Sequence, residues 1–343
     1  MKMQHTAGVA LILGLTGTAG AQTIDPYYEC AYRIADLGPP AGVPLPFGGL
    51  VFKDGDPDVL LIGGAANSVN GALYAVPVVR DSEGHITGYG GPGVVFAEAP
   101  NIDGGLAYGP DGVLFFSRYS MNDIGQLKPG STVSDKNIDL SALGFSSSVG
   151  AFTFVPDGFA GAGRLKIFPF NSSRWHDAVV TPDGAGTFDI SAPLTDYFLG
   201  GGPEGIVYVE AGASLFPVES VLISEYLNNT VASYEVDANG DAIDGTRRDF
   251  LTGLSGAEGG TRDPVTGDFL FSTFLGGSRV LVVRGFDPFC AANYNADCAV
   301  NTQDVIDFLN DWVVSDPKAD FNGDGSVNTL DFLAFLNRWV AGC

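Results

Sequence analysis

The stretch DGGLAYGPDG, residues 103–112, decides the fold, because its pattern occurs five times along the chain. Each copy opens a strand with a glycine beside a small or apolar residue, and turns and further strands follow. The other openings are FGGLVF (47–52), VGAFTFVPDG (149–158), EGIVYV (204–209) and EGGTRDPVTG (258–267). Their first glycines, Gly48, Gly104, Gly150, Gly205 and Gly259, recur at nearly even intervals. This period is the size of a four-stranded blade, so we predict a mainly β protein with a five-bladed β-propeller.

The blade count and the closure of the ring depend on two further segments. The long 150–200 stretch leaves room for a sixth, degenerate blade. The last repeat has only three strands, whereas ECAYRIADL (29–37) is a strand without a partner. We predict that this strand completes the last blade, because an open sheet edge at the seam would be prone to pair with other chains.

The second and third strands of three repeats align without gaps. They are VLFFSRYSMNDIGQLKP (113–129), VLISEYLNNTVASYEV (221–236) and FLFSTFLGGSRVLVV (269–283). Ser117, Ser224 and Ser272 coincide, and each is followed, at the next position but one, by an aromatic residue, namely Tyr119, Tyr226 and Phe274. This sequence pattern resembles that of the NHL and SMP-30/gluconolactonase-like propellers. The resemblance implies a propeller fold for the body of the chain, residues 22–286.

The residues that precede the five blade-opening glycines are expected to point into a central channel. They are Phe47, Asp103, Val149, Glu204 and Glu258. The resemblance to the lactonases implies a channel metal, and Asp103, Glu204 and Glu258 are its candidate ligands, with Glu204 most similar to the lactonase Glu. A solvated acidic rim is the alternative interpretation. Convergence of the three carboxylates would favour an enzyme, and their dispersal would favour a scaffold.

Two loops near the C-terminus have the spacing of calcium ligands. NYNADCAVNTQD (293–304) and DFNGDGSVNTLD (320–331) match position by position. Calcium takes six to eight oxygen ligands, and short polar side chains at alternate loop positions supply them, with a backbone carbonyl at position 7. The candidate ligands of the first loop are Asn293, Asn295, Asp297, Ala299, Asn301 and Asp304. Those of the second loop are Asp320, Asn322, Asp324, Ser326, Asn328 and Asp331.

One helix is predicted after each loop, in DVIDFLNDWVV and DFLAFLNRWVA, and none before the first loop. Six apolar positions recur between the two helices with a spacing that places them on one wide face. A loop followed by one helix, twice, resembles a dockerin domain of the type whose chains end in GC. The resemblance covers residues 290–343, so we assign residues 287–343 to this domain.

The dockerin resemblance implies two calcium ions and a docking partner. The first site is expected to be the weaker, because its position 1 is Asn293 and its position 6, usually glycine, is Cys298. The partner would be cohesin-like or another surface docking protein. By resemblance, its candidate contacts are loop positions 10 and 11 of each repeat, Thr302, Gln303, Thr329 and Leu330.

The N-terminus MKMQHTAGVALILGLTGTAGAQ has the pattern of a secretory signal peptide, residues 1–21, so a secreted or cell-surface location is expected. The four cysteines of an exported chain predict two disulfides, and four cysteines can pair in three ways. The dockerin resemblance favours Cys290 with Cys343 and Cys30 with Cys298. The rival pairing, Cys30 with Cys290 and Cys298 with Cys343, stays open.

Charge and motifs narrow the function. The formal net charge is −23, and removal of residues 1–21 takes away one Lys, which leaves 16 minus 40, or −24. Nucleic acid is therefore an unfavourable partner, and no other segment is apolar enough for a membrane span.

Our leading interpretation is an exported, non-catalytic propeller that binds a ligand or partner and is attached through a calcium-folded dockerin module. The alternative is a dockerin-borne enzyme that acts at the channel on a polysaccharide or a lactone, with carbohydrate as the candidate ligand class.

Overall fold

The computed structural model describes residues 22–285, 291–295, 297 and 299–341. Over these residues the chain forms 24 strands and two α-helices. Five antiparallel sheets make up the five blades of a propeller. The predicted mainly β fold and the blade count of five are confirmed. No helix of the described residues is long and apolar enough to cross a membrane.

Two strands precede the first blade, and the first two blades follow them directly. The two leading strands are β1 (Thr23–Ile24) and β2 (Arg33–Gly38). Blade 1 consists of β3 (Phe47–Lys53), β4 (Asp56–Gly64), β5 (Ala72–Arg80), β6 (Ile86–Tyr89) and β7 (Val94–Glu98). Blade 2 consists of β8 (Ile102–Tyr108), β9 (Leu114–Arg118), β10 (Asp123–Leu127) and β11 (Lys136–Asp139).

Blade 3 occupies the stretch in which a sixth blade had room. Its four strands are β12 (Val149–Phe154), β13 (Leu165–Pro169), β14 (Arg174–Ala178) and β17 (Tyr197–Phe198). Between the last two lies a separate hairpin of β15 (Val180–Pro182) and β16 (Phe188–Ile190). Phe188 exchanges two hydrogen bonds with the side chain of Gln126 in blade 2, at 2.8 and 2.9 Å. The extra length is therefore a hairpin that packs on a neighbouring blade, and it is not a sixth blade.

Blades 4 and 5 complete the ring. Blade 4 consists of β18 (Pro203–Val209), β19 (Ser220–Glu225), β20 (Thr230–Glu235) and β21 (Arg248–Thr252), with β1 as a fifth, outermost strand. Blade 5 consists of β22 (Ala257–Arg262), β23 (Phe269–Thr273) and β24 (Val280–Arg284). Its outer strand is β2, which pairs antiparallel with β24 from Arg33 opposite Arg284 to Gly38 opposite Val280. The predicted closure by the N-terminal strand is confirmed.

Hydrophobic packing between blades holds the ring together. A cluster of buried apolar side chains fills each of the five spaces between adjacent blades. The innermost strands β3, β8, β12, β18 and β22 contact one another in order, and β22 contacts β3. Burial of this apolar surface supplies most of the driving force for folding of such a domain.

The blade-opening glycines pack directly against one another on the axis. A Cβ atom on Gly205 would lie 2.5 Å from the carbonyl oxygen of Glu258, and one on Gly48 would lie 2.6 Å from that of Asp103. A Cβ on Gly259 would meet the Cα of Gly49 at 2.6 Å. The backbones therefore close the axis at this level. The expectation of an open channel is wrong at this level, because the inner strands carry glycine here and their backbones come into contact.

The two helices after the calcium-type loops are α1 (Thr302–Val313) and α2 (Thr329–Ala341). Their prediction is confirmed, and Asn301 caps α1 in a capping box with Asp304. Short 3₁₀ turns cover Pro110–Gly112, Ser141–Leu143, Tyr226–Asn228 and Pro317–Ala319.

Candidate functional site

Three acidic side chains meet on the propeller axis, just above the glycine layer, on the face where the inner strands begin. We call Asp103, Glu204 and Glu258 the axial triad; one carboxylate oxygen from each lies within 4.8 Å of the others. Their side chains come from blades 2, 4 and 5 and are 1%, 4% and 1% exposed. The interpretation of these residues as a solvated acidic rim is therefore wrong, because the ring of blades encloses them completely.

Phe47 and Val149 stand at the same blade position in blades 1 and 3. Both are fully buried, but they pack into the apolar clusters between blades. The structure thus brings together the three acidic members of the predicted set. The two apolar members complete the hydrophobic core of their own blades.

The axial triad has unusual electrostatics. Both carboxylate oxygens of Asp103 and of Glu258, and Oε2 of Glu204, have no hydrogen-bond partner among the described residues. Burial raises the pKa of Asp103 to about 7, against the lowering effect of the Asn67 side chain and the Gly104 N–H, which lie beside the carboxyl without forming a hydrogen bond of good geometry. Burial, followed by the charges of Asp103 and Glu258, raises the pKa of Glu204 well above its usual value. Burial and the charge of Asp103 do the same for the pKa of Glu258. A buried carboxylate without a partner is costly, so the site favours protonation or a bound cation.

An arc of aromatic side chains lies above the axial triad. We call Tyr119, Phe170, Tyr226 and Phe274 the aromatic collar. Each is the first residue after the second strand of its blade, in blades 2 to 5. Neighbouring ring centroids are 6.3, 5.7 and 6.0 Å apart, at interplanar angles of 88°, 85° and 70°. In blade 1 the equivalent position is Ala65, which leaves one gap in the arc.

Backbone hydrogen bonds explain why the collar lies directly over the acids. The N–H of Tyr226 donates to the carbonyl of Gly202 at 2.9 Å, and that of Phe274 donates to Gly256 at 2.9 Å. Gly202 and Gly256 stand just before Glu204 and Glu258, with one residue between them in each case. Two residues of a strand span roughly 7 Å. The backbone of Tyr226 is therefore held about 7 Å above that of Glu204, and the backbone of Phe274 about 7 Å above that of Glu258. In agreement with this placement, burial and then the charges of the axial triad raise the pKa of Tyr226.

Exposed apolar side chains continue from the collar to the surface. Met121, Leu227 and Leu275 follow collar residues by one or two positions and are 55%, 63% and 48% exposed. We call these three the apolar rim. From the rim downward, the upper end of the axis is apolar, then aromatic, then acidic.

The sequence predicted the acids of this site but not its aromatic part. Tyr119, Tyr226 and Phe274 coincide in the gapless alignment of three blades, which was the available signal. Phe170 belongs to a repeat that fits the frame less closely. Only the ring geometry shows that the four side chains are neighbours.

The opposite end of the axis opens into a cavity of about 940 Å³. The ends of the inner strands line it, with Tyr108, Phe154 and Tyr208 among the aromatic residues. Its charged side chains include Arg262, which pairs with Glu210 at the surface at 2.8 Å. The glycine layer separates this cavity from the axial triad.

The second C-terminal loop is closed by hydrogen bonds from its backbone to two of its predicted ligand residues, Asp320 and Asp331. Asp331 at position 12 is buried and accepts the backbone N–H groups of Asn322 at 3.0 Å and Asn328 at 2.8 Å. These two bonds hold the pKa of Asp331 below its usual value. Asp320 at position 1 accepts the N–H groups of Asp324 and Gly325 through its two oxygens.

The first loop repeats this pattern at the equivalent positions. Asp304 is buried and accepts the N–H groups of Asn295 at 3.3 Å and Asn301 at 2.8 Å. Asn293 at position 1 is buried, and its Oδ1 has no partner among the described residues. Cys298 at position 6 lies outside the described residues.

The two loop–helix units are related by a near two-fold arrangement. Trp312 of α1 donates its indole N–H to the carbonyl of Asn328 at 2.7 Å, and Trp339 of α2 donates to that of Asn301 at 2.9 Å. Phe308 and Phe335 stack between the helices with centroids 4.4 Å apart. Each unit therefore supports the loop of the other.

The surface of the helices includes the expected partner contacts. Thr302, Gln303, Thr329 and Leu330 are all exposed. The predicted apolar face is buried only in part, since four of its twelve positions face solvent. These exposed positions are Ile306, Val313, Leu333 and Val340.

The cysteine prediction is tested at one residue. Cys30 is disulfide-bonded. Cys290, Cys298 and Cys343 lie outside the described residues, and so does the predicted signal peptide, residues 1–21.

The fold is similar to that of several solved structures. A glucose dehydrogenase has a TM-score of 0.42 at 12% identity, over 73% of this chain and 98% of that one. The PQQ-bound aldose sugar dehydrogenase from Streptomyces coelicolor has a TM-score of 0.40 at 15% identity, over 72% and 83%. An auxiliary nutrient binding protein from Bacteroides ovatus ATCC 8483 has a TM-score of 0.42 at 13% identity, over 74% and 76%. No protein-family model and no curated protein sequence matches the chain.

Proposed function

We propose that this protein is a ligand-binding propeller whose site is the upper end of the axis, where the ligand brings positive charge to the axial triad. The observation that carries the proposal is three convergent, fully buried carboxyl groups, with five of their six oxygens unpartnered among the described residues. Such groups destabilise a fold unless protons or a cation neutralise them.

The fold itself does not need acids at this position. Blades 1 and 3 carry Phe47 and Val149 at the equivalent place, and both side chains serve the core. Apolar residues at positions 103, 204 and 258 would therefore be compatible with blade packing. Retention of three carboxyls against a desolvation cost is typical of a functional site.

The proposal is tested by thermal unfolding in the presence of different cations. Each metal ion and each amine is added as its chloride salt. At pH 8 the matching cation should raise the melting temperature of the full mature chain, and Glu204→Gln should abolish this increase. Glu210→Gln, a surface acid in the exposed Arg262 pair, is the matched control and should respond like the wild type. If no cation stabilises the protein through Glu204, the axial site is not a cation site.

The second part of the proposal concerns attachment. We propose that the protein is exported and that residues 287–343 form a dockerin-like module, folded by two calcium ions, that binds a cohesin-like or other surface partner. The support is the matching hydrogen-bond pattern of the two loops, the reciprocal tryptophan contacts and the exposed apolar residues of both helices. Calcium titration monitored by helicity tests this part, because metal-folded modules lose structure when the ion is removed.

An enzymatic role is the second candidate, favoured by the convergence of the axial triad. Neighbouring carboxyls with raised pKa values can share a proton, and one can serve as the acid and another as the base in hydrolysis of a lactone or a glycoside. Hydrolysis of δ-lactones and polysaccharides by the wild type, lost in Glu204→Gln, would establish this role. Equal rates in both proteins would exclude catalysis by the axial triad.

A further inference from the structure

We infer that the ligand of the axial site is an organic cation, a primary ammonium group carried on an apolar stem, rather than a bare metal ion. This inference rests on the proposed cation site and adds the chemical class of the ligand. Three independent features carry it: the spacing of the carboxylates, the aromatic collar above them, and the apolar rim at the surface.

The spacing of the axial triad suits an ammonium group. Because the three oxygens lie within 4.8 Å of one another, a group at their centre is at most about 2.8 Å from each, which is within reach of charge-assisted N–H···O bonds. A primary ammonium has three N–H donors, and the axial triad presents three carboxyl groups. Each donor can therefore reach a different blade.

The open side of the triad is covered mainly by rings. A calcium ion takes six to eight oxygen ligands, whereas the collar offers only the Tyr119 and Tyr226 hydroxyls, and the Asn67 side chain beside Asp103 adds one amide oxygen. Ring faces attract organic cations within about 6 Å of the centroid. On a pentagon with sides of about 6 Å, each vertex lies about 5 Å from the centre, so a cation that enters along the axis passes the rings within this range before it reaches the acids below them.

The apolar rim accounts for the stem. Met121, Leu227 and Leu275 stand beside the collar and expose large apolar side chains at the surface. An alkyl or aryl stem that extends outward from the collar would bury part of this surface. A hydrated metal ion would gain no binding free energy from this apolar surface.

Charge balance agrees with a monovalent ligand. Three carboxylates within 4.8 Å of one another repel, so one ammonium charge together with shared protons can neutralise them. The net charge of −23 also raises the local concentration of cations around the whole molecule.

Calorimetric titration with n-butylammonium chloride tests the inference on the full mature chain, with n-butanol as the neutral match. The amine should bind and the alcohol should not. Glu204→Gln and Tyr226→Leu should each weaken amine binding at least about tenfold, which corresponds to about 1.4 kcal/mol. Phe274→Leu is a second collar variant in case Tyr226→Leu fails to fold.

Glu210→Gln and Tyr27→Leu are the matched controls, an exposed acid and an exposed aromatic residue outside the site. Titrations with and without calcium chloride reveal competition by a metal at the same carboxyls. If a metal ion binds through Glu204 and the amine does not, the inference is wrong while the proposed cation site stands. If neither cation depends on Glu204, both are wrong.

Discussion

At the scale of single residues, the same blade position serves two opposite purposes. In blades 1 and 3 it carries Phe47 and Val149, which stabilise the core between blades. In blades 2, 4 and 5 it carries the axial triad, whose carboxyls are buried without partners among the described residues. The glycine that follows each of them has one role throughout, because it lets five backbones meet on the axis.

Gly205→Ala should destabilise the propeller. Its Cβ would lie 2.5 Å from the carbonyl oxygen of Glu258, and backbone cannot move aside as a flexible side chain can. We expect the free energy of unfolding to fall by about 2–3 kcal/mol, measured by urea denaturation. Gly88→Ala is the control, because nothing lies within 4 Å of its added Cβ. Equal stability of the two variants would contradict the close packing on the axis.

Asp103→Asn should flatten the dependence of stability on pH. The folded-state pKa of Asp103, about 7, lies above its usual 3.8, so the folded chain binds more protons than the unfolded chain between these values. Stability contributed by the protonated group is therefore lost as the pH rises from about 4 to 7, by up to about 4 kcal/mol. Denaturation of the ligand-free protein at pH 5 and pH 8 measures the part of this loss that falls above pH 5.

Asp103→Asn should lose less stability than the wild type between the two pH values, and Asp244→Asn, at an exposed position, should lose as much as the wild type. An unchanged slope in Asp103→Asn would mean that Asp103 titrates normally in the fold.

At the scale of elements, short hydrogen-bonded connections decide which side chains become neighbours. The collar residues follow the second strand of each blade, and a backbone bond ties Tyr226 and Phe274 to the start of the inner strand. In the C-terminal region each helix supports the loop of the other repeat through a tryptophan indole. Both arrangements recur from one unit to the next, and both form only when the units pack against each other.

Trp312→Phe should weaken the C-terminal module by about 1 kcal/mol, the usual contribution of one hydrogen bond. The change keeps an aromatic ring but removes the donor to the carbonyl of Asn328. Because that carbonyl belongs to the second loop, calcium affinity should fall as well. Leu333→Ala, at an exposed position of α2, serves as the control. Calcium titration of the full chain, followed by circular dichroism, distinguishes the two variants.

At the scale of the whole molecule, the chain combines a propeller stabilised by five apolar interfaces with a small region in which many polar groups surround two loops. A small apolar core is seldom sufficient for stability without a metal or a disulfide. The two parts should therefore respond differently to removal of calcium.

Chelation with EDTA should unfold α1 and α2 and leave the propeller folded. Trp312 and Trp339 report on the helices, whereas Trp175 is buried in the propeller. We expect helical circular dichroism to decrease, the emission of two tryptophans to shift to longer wavelength, and the β signal to persist. Helicity that ignores both EDTA and added calcium would contradict the calcium-folded module.

The repeat architecture of this protein follows from its amino-acid pattern alone. The period of the glycine-led openings predicted five blades, and the unpaired segment 29–37 predicted the strand that closes the ring. The constant offset between 293–304 and 320–331 predicted the paired loops and helices. These features follow from periodic patterns, because every repeat carries the same strand and turn signals and the N-terminal strand supplies the one strand that the last repeat lacks.

Only the tertiary structure decided how the axial site is built. Asp103 and Glu258 stand far apart in the sequence, in the second and fifth repeats, and closure of the ring brings their carboxyls together with that of Glu204. The complete burial of the axial triad, the closed glycine layer below it and the aromatic collar above it arise in the same way. They depend on the distance between inner strands at the axis, which five blades set jointly and no single repeat encodes.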